Sequence, residues 1–420
     1  MMERRRTAIY VIIGFSLLAG LITGRGFFYT VAYAFAGLLV FSLAWAWTGV
    51  SALGLRRQTR ARRAQVGSTL DENFTVQNRS VIPKLWLEIY DKSTLPNHHA
   101  SHVVTNLGPR ATATWQVGTL CTRRGAYTLG PLQLATGDPF GLFQVERQVD
   151  ATSPLIVYPQ TVEIPEFALP LGVLSGGDAL RRRTHYITTN AAGIRDYAPG
   201  DSFSRIHWPS SARKDRLLVK EFELDPLADV WIMLDAERTV HTGDYEAVIS
   251  GELLPGRDGK SFAIPPTTEE YAVTLAASIS RYFLQRDRAV GFVTHARRRE
   301  TLPADRGPRQ LTKILETLAI LEARGAVTLG QLMAAYGSQL PRGTTVILIT
   351  PSTRDDWVLA AHGYLQRGLR VVAVIVEGQS FGGRPGAERA ALQLNTLGVP
   401  TYMVRRGDDI QAALSQVRVN

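Results

Sequence analysis

His207 stands beside Trp208 within residues 195–223, RDYAPGDSFSRIHWPSSARKDRLLVKEFE, and an imidazole titrating near neutrality is the usual general base of acyl transfer. Such a base needs a serine or cysteine nucleophile set beside it by a motif, and none is recognisable there. The acidic residues near Asp235 are the other source of hydrolytic chemistry, and together the two define one functional class, a membrane-associated hydrolase. Residues 254–261, LPGRDGKS, approach a phosphate-binding loop. Leu254 stands where the motif needs glycine, and the stretch lies well past its strand, so an inserted loop is expected instead. His98, His99 and His102 are possible nitrogen ligands; without cysteines nearby they are expected to line a solvated polar loop.

The segment around His207 holds eleven charged side chains together with Tyr197, Phe203, Ile206 and Trp208, in neither helical nor strand period. Pro199-Gly200-Asp201 is turn chemistry, with Asp201 able to cap a short helical stretch from Ser202. Residues 216–223, RLLVKEFE, alternate and predict a strand. Arg195, Arg205 and Arg213 balance Asp196, Asp201 and Glu221, which predicts an ion-pair lattice around a buried Trp208. The same lattice is compatible with a docking face made by Arg195, Tyr197, Gly200, Asp201, Arg205, Trp208 and Arg213, with Arg213 the contact that grips a partner's carboxylate.

The elements carrying these residues begin in a membrane. The chain has a net charge of +10, and residues 1–63 hold nine arginines against Glu3 alone, leaving 38 basic against 36 acidic residues elsewhere. A nucleic-acid binder concentrates positive charge on a folded domain; here it flanks apolar runs, which argues against nucleic acid as a partner. Residues 7–23 and 26–55 carry no charge, the second run ending near Trp45 and Trp47, and together they predict a two-span helical hairpin in the lipid bilayer. Arginines at both outer ends place those ends in the cytoplasm. The single cysteine, Cys121, excludes an intrachain disulfide.

Residues 65–165 predict a small β-sandwich-like domain: LWLEIY, ATATWQV and YTLGPLQL alternate between frequent turns. GDPFGLF (137–143) is expected to tuck both phenylalanines under a sheet. From Asp229 short apolar strands (DVWIMLD, AVGFVT, TVILIT, RVVAVIV, PTYMV) alternate with helices, the first opening on a Thr267–Glu270 capping box. That alternation predicts a doubly wound α/β domain with a parallel sheet covered on both faces, whose ligands sit at the carboxyl ends of the strands.

YTLGPLQLATGDPFGLF, then IVYP, then GIRDYAPGDSFSRIHWPSSAR, then a strand ending in Asp235, resembles the bacterial domain of unknown function 58 family. The resemblance implies a von Willebrand factor type A-like domain over 229–420, after a hairpin over 1–64, the β-rich domain and a motif segment over 166–228. It also implies a MoxR-type AAA+ ATPase as partner, a role in membrane-associated assembly or chaperone-like maturation, and no established enzymatic activity. In type A domains an Asp-x-Ser-x-Ser, a loop threonine and a later aspartate hold Mg²⁺. Here Asp235 and Thr239 match, Glu237 replaces the first serine, and Thr328 is the candidate loop threonine. Thr350-Pro351 stands where the aspartate belongs, and Arg238 adds a cation. The resemblance therefore implies a degenerate site with weak Mg²⁺ binding or none. An interaction protein is the favoured class, because no nucleophile–base motif supports the hydrolase.

Overall fold

The computed structural model describes residues 2–167, 191–197, 206–222, 229–250 and 263–415. It divides into two compact units, one of Met1–Gln160 with Tyr245–Pro265 and Leu315–Leu321, the other of Thr161–Asp244, Pro266–Ile314 and Glu322–Asn420.

The first unit opens with helices α1 (Met2–Thr23) and α2 (Gly26–Val50), which turn at Gly24 in the left-handed region (φ +68°). At about 1.5 Å per residue each exceeds the ~30 Å hydrocarbon thickness of a bilayer. Both are long and apolar enough to cross a membrane, and Phe15, Leu21, Ile22, Phe27, Val40 and Trp47 are exposed along them. Helix α2 stops at Val50, earlier than the uncharged run predicts, because its last residues, 53–55, open strand β1 (Leu53–Thr59). The freed carbonyls at that helix end find cations. Lys84 Nζ donates to Thr48 O (2.7 Å), and Arg147 donates to Val50 O (3.3 Å) and Leu53 O (3.0 Å). Gly49 lets the helix end abut the sheet, since a Cβ there would stand 2.8 Å from Thr136. At the other outer end of the hairpin, Arg5 donates to Phe140 O.

Strands β2 (Arg63–Gln65), β3 (Thr69–Asn78), β4 (Lys84–Asp91), β5 (His102–Leu107) and β6 (Thr112–Leu120) follow. Then come β7 (Gly125–Leu129), β8 (Leu132–Gly137), β9 (Gln144–Val149) and β10 (Ser153–Tyr158). They form sheets ordered β1-β3-β6, β5-β4-β8-β9 and β2-β10-β7. Leu53 and Val76 of the first pack on Leu87, Ile89, Val104 and Leu134 of the second, the apolar layer of a sandwich.

A buried ionic cluster also joins these two sheets. Arg57 of β1 lies 2.9 Å from Glu72 of β3, an ion pair rather than an aligned hydrogen bond, and donates to Asp91 of β4. His98 Nε2 is 2.7 Å from Asp91 and 3.3 Å from Glu72, while its Nδ1 meets Thr119 Oγ1 at 2.7 Å. The guanidinium also lies over the Phe74 ring at 5.1 Å. Two sequence expectations fail here. His98 is not in a solvated loop but buried, because two buried carboxylates need donors; Arg57, counted as part of a basic membrane flank, is buried for the same reason. The turn at 137–143 differs as well. Buried Asp138 anchors it by accepting from the backbone N–H groups of Phe140, Leu142 and Phe143; Leu142 is buried and Phe140 is exposed.

In the second unit an antiparallel ribbon, β11 (Ala191–Asp196) with β12 (Leu218–Phe222), brackets helix α3 (Trp208–Lys214). Strand β13 (Val230–Leu234) starts the large sheet; the short helix α4 (Tyr245–Ser250) that follows in sequence belongs to the first unit. Next come α5 (Thr268–Gln285), β14 (Val290–His295), β15 (Arg299–Asp305), α6 (Pro308–Ile320) and α7 (Leu329–Gly337). The chain continues with β16 (Thr345–Thr350), α8 (Asp356–Gln366), β17 (Arg370–Val376), α9 (Ala387–Thr396), β18 (Thr401–Val404) and α10 (Ile410–Ser415). The order is β15-β14-β13-β16-β17-β18, parallel except for β15. The wholly parallel sheet expected from sequence is thus a mixed one: RETLPAD, with Pro303, reads as loop but serves as an edge strand, where proline is tolerated. Met233, Leu348, Ala373 and Met403 pack under α7, α8 and α9. Tyr402 turns the other way, stacks on Phe167 at 4.8 Å, and Phe167 meets Phe283 of α5 edge-on. Both faces are covered.

Arg57→Met should lower the stability of the β unit by about 3–5 kcal/mol, since it strands two buried carboxylates. Burial pushes the Asp91 carboxyl up, but hydrogen bonds from His98 and Ser93 and the charge of Arg57 outweigh it and leave the pKa below its ordinary 3.8. A depressed acid stabilises the fold above its unfolded value and loses that contribution as pH falls through the folded one. Asp91→Asn should therefore weaken the fold at neutral pH and flatten its acid sensitivity below about pH 4. Hydrogen exchange of β1, β3 and β4 across pH reads both effects.

Candidate functional site

Strand β13 pairs with β14 on one side and β16 on the other, so the strand order reverses at the β13–β16 boundary. The crevice beyond the carboxyl ends of strands at such a point is where open α/β sheets bind ligands. Residues 239–242 after β13, 351–354 after β16 and 378–384 after β17 line a cleft of about 510 Å³ there.

Asp235, directly after β13, is buried. Its Oδ2 accepts from Thr350 Oγ1 (2.6 Å) and its Oδ1 from the backbone N–H of Glu237 (3.0 Å). Burial raises its pKa; the charge on His241 and the two hydrogen bonds act the other way without cancelling the rise. Glu237 is also buried, and its Oε2 takes Arg354 Nη1 at 2.9 Å. Thr239 Oγ1 donates to the other oxygen of Glu237 and accepts from Arg354 Nη2 at 3.1 Å. Gly325 secures the floor: its N–H donates to Ala236 O at 2.8 Å, and a Cβ there would stand 2.1 Å from His295 O.

Asp235, Glu237 and Thr239 thus come together within one turn, while two other expectations do not hold. Thr328 does not join them. It caps α7 in a box with Gln331 and donates to Asp356 Oδ2 at 2.7 Å, because TLGQLM reads locally as a helix start. The cation at the site is Arg354 rather than Arg238, whose side chain is exposed. These donors do not fit a divalent ion: both oxygens of Glu237 are engaged by Arg354 and Thr239, and those of Asp235 by Thr350 and a backbone amide. Among the described residues no three His, Cys, Asp or Glu side chains converge as metal ligands.

The ribbon segment holds the other candidates. Trp208, expected at the centre of a buried lattice, is 63% exposed at the first turn of α3. Ile206, Ser211, Leu218 and Val219 are the buried groups, and Ser211 Oγ accepts from Leu218 N at 2.9 Å. Trp208 stands at the first position of this seven-residue helix, whose buried residue is Ser211. Tyr197 is half-buried and Arg213 exposed. Asp196 pairs on the surface with Arg216 at 3.2 Å, an arginine outside the expected lattice. The side chains of Arg195 and Glu221, and all of Gly200, Asp201 and Arg205, lie outside the described residues. The structure does place a serine beside His207: its Nδ1 is 2.8 Å from Ser210 Oγ and 3.2 Å from Ser210 N. This is the N-cap of α3, and it holds the ring by the nitrogen that a general base would need free. His241, not singled out in the sequence, lies between Asp235 O (3.0 Å) and Thr268 Oγ1 (3.2 Å).

Asp235→Asn should be tolerated and should remove a pH dependence. An acid whose folded pKa is raised contributes stability below its ordinary value of 3.8 and loses it as pH rises through the folded value. Urea melts from pH 4 to 8 should show the variant gaining on the wild type as pH rises; a constant difference would contradict the assignment.

The comparisons with known proteins meet this description at the segment just described. The family model "Protein of unknown function DUF58" matches residues 193–250. An uncharacterized protein of Bacillus subtilis (strain 168), YeaD, is 22% identical over 244 residues, 57% of this chain and 54% of that protein, so the chain spans about half the length of the curated relative it matches. Among solved structures, the CARDB domain of a Pyrococcus furiosus protein aligns at a TM-score of 0.19 and 15% identity, over 25% of this chain and 91% of that one. Proximal thread matrix protein 1 of the mussel byssus aligns at 0.30 and 12% identity, over 45% and 46%. Those scores are too low to carry a structural argument. Over β11, α3, β13 and the Asp235–Thr239 turn, the chain is similar to the DUF58 family, whose function is unknown.

Proposed function

We propose that the chain is a membrane-anchored, cytoplasm-facing interaction protein that works with a MoxR-type AAA+ ATPase in assembly or chaperone-like maturation. Its C-terminal unit serves as a von Willebrand factor type A-like module. The observation that carries this reading is the switch-point cleft, where Arg354 fixes Glu237 and Thr239 into a polar surface and, among the described residues, no nucleophile and base are aimed at a common point. Exposed Trp208 and Arg213 on α3 supply the kind of anchors that dominate protein interfaces. Arginines at both outer ends of the hairpin support the cytoplasmic orientation. A hydrolase is the second reading, favoured by the His207–Ser210 contact alone. Ester hydrolysis lost in Ser210→Ala would establish it.

Trp208→Ala should leave the melting curve within about 0.5 kcal/mol of the wild type, as expected of an exposed side chain. Together with Arg213→Glu it should reduce recovery of the ATPase after crosslinking in native membranes. Equal recovery from all three chains would end the docking role of α3. Orientation is read by thiol labelling. Cys121 is buried, its pKa pushed up to about 11 by that burial, so it gives little background. Thr23→Cys should react from outside the cell and Arg62→Cys only after permeabilisation; the reverse pattern would invert the topology.

A further inference from the structure

Among the described residues, one arginine lining the switch-point cleft makes no ion pair. Glu237 binds Arg354, and the other carboxylates nearby are paired as well: Asp355 with Arg389 at 2.9 Å and Glu377 with Arg405 at 3.0 Å. Arg384, on the loop after β17, lines the same cleft, is exposed, and makes no hydrogen bond or ion pair among the described residues. Its loop is fitted closely: a Cβ on Gly383 would stand 2.6 Å from Thr242 Cγ2 and 2.9 Å from Gly378 O. Arg354 keeps free donors too, since a guanidinium has five N–H groups and the side chain is 45% exposed. Glu237 and Thr239 fix its plane, so those donors are already oriented.

We propose that this cleft is a metal-independent carboxylate site that takes an acidic side chain of a protein partner between Arg354 and Arg384, with the Thr242 and Thr353 hydroxyls at its rim. The inference rests on the interaction reading above and names the chemistry of the partner. A planar guanidinium presents paired N–H donors that match the two oxygens of a carboxylate.

The test uses the full chain in nanodiscs with EDTA present and a fluorescent, C-terminally amidated hexaglutamate peptide read by anisotropy. Hexaglutamate should bind, and hexaglutamine should bind at least about tenfold more weakly. Arg384→Glu should weaken binding by about tenfold or more while leaving the melting curve unchanged, since Arg384 has no fold partner. Arg384→Lys should retain part of the affinity. Unchanged binding in Arg384→Glu overturns the proposal, as does binding that appears only when Mg²⁺ replaces EDTA, or tighter binding of a phosphoserine peptide. Co-purification in native membranes separates the two readings. An ATPase that accompanies the wild type, with hexaglutamate binding untouched by Arg384→Glu, removes the carboxylate site and spares the interaction role. Peptide binding lost in Arg384→Glu, with no protein accompanying the wild type, does the reverse.

Discussion

A guanidinium and a carboxylate taken out of water need each other, and each compact unit is organised by one such pair. In the β unit Arg57 bridges Glu72 and Asp91 from different sheets, with His98 completing the donors. In the α/β unit Arg354 holds Glu237 and Thr239 at the carboxyl edge of the sheet. The two pairs differ in exposure, and that sets their roles. The Arg57 side chain is 3% exposed and joins two layers; the Arg354 side chain is 45% exposed and offers its remaining donors to solvent. An ion pair of the first kind contributes specificity more than net stability, because desolvation offsets much of the attraction.

Much of the architecture was legible in the sequence because it rests on periodicity. The two uncharged runs are helices, and the five apolar runs from DVWIMLD to PTYMV are strands whose residues are nearly all buried. Runs that apolar cannot be half-exposed, so the parallel order and two-sided cover follow. The Thr267–Glu270 start of α5 was legible for a local reason, a side-chain cap three residues from its partner. Strand β15 was not, because an edge strand containing proline carries neither apolar continuity nor clean alternation.

The site was half legible. Asp235, Glu237 and Thr239 lie within five residues, so their meeting needs only a turn. Arg354 is more than a hundred residues away, and nothing local marks it as their partner. Thr328 shows the converse: a residue type fitted to a remote role, claimed by its own helix. Trp208 shows that size and apolarity alone do not decide burial: it opens a seven-residue helix and stays exposed there. His98 failed for want of the carboxylates that draw it inward, which sit on two other strands.

The junction between α2 and β1 leaves two residues, Ser51 and Ala52, between helix and sheet, with the carbonyls on either side held by Lys84 and Arg147. That is an axle rather than a leash. A flexible tether lets a domain sweep a volume whose radius grows with the square root of linker length; this sandwich has almost no such radius. Any tilt or rotation of α2 therefore carries the β sheets with it, because the two-residue junction and its pinned carbonyls leave no slack between helix and sandwich.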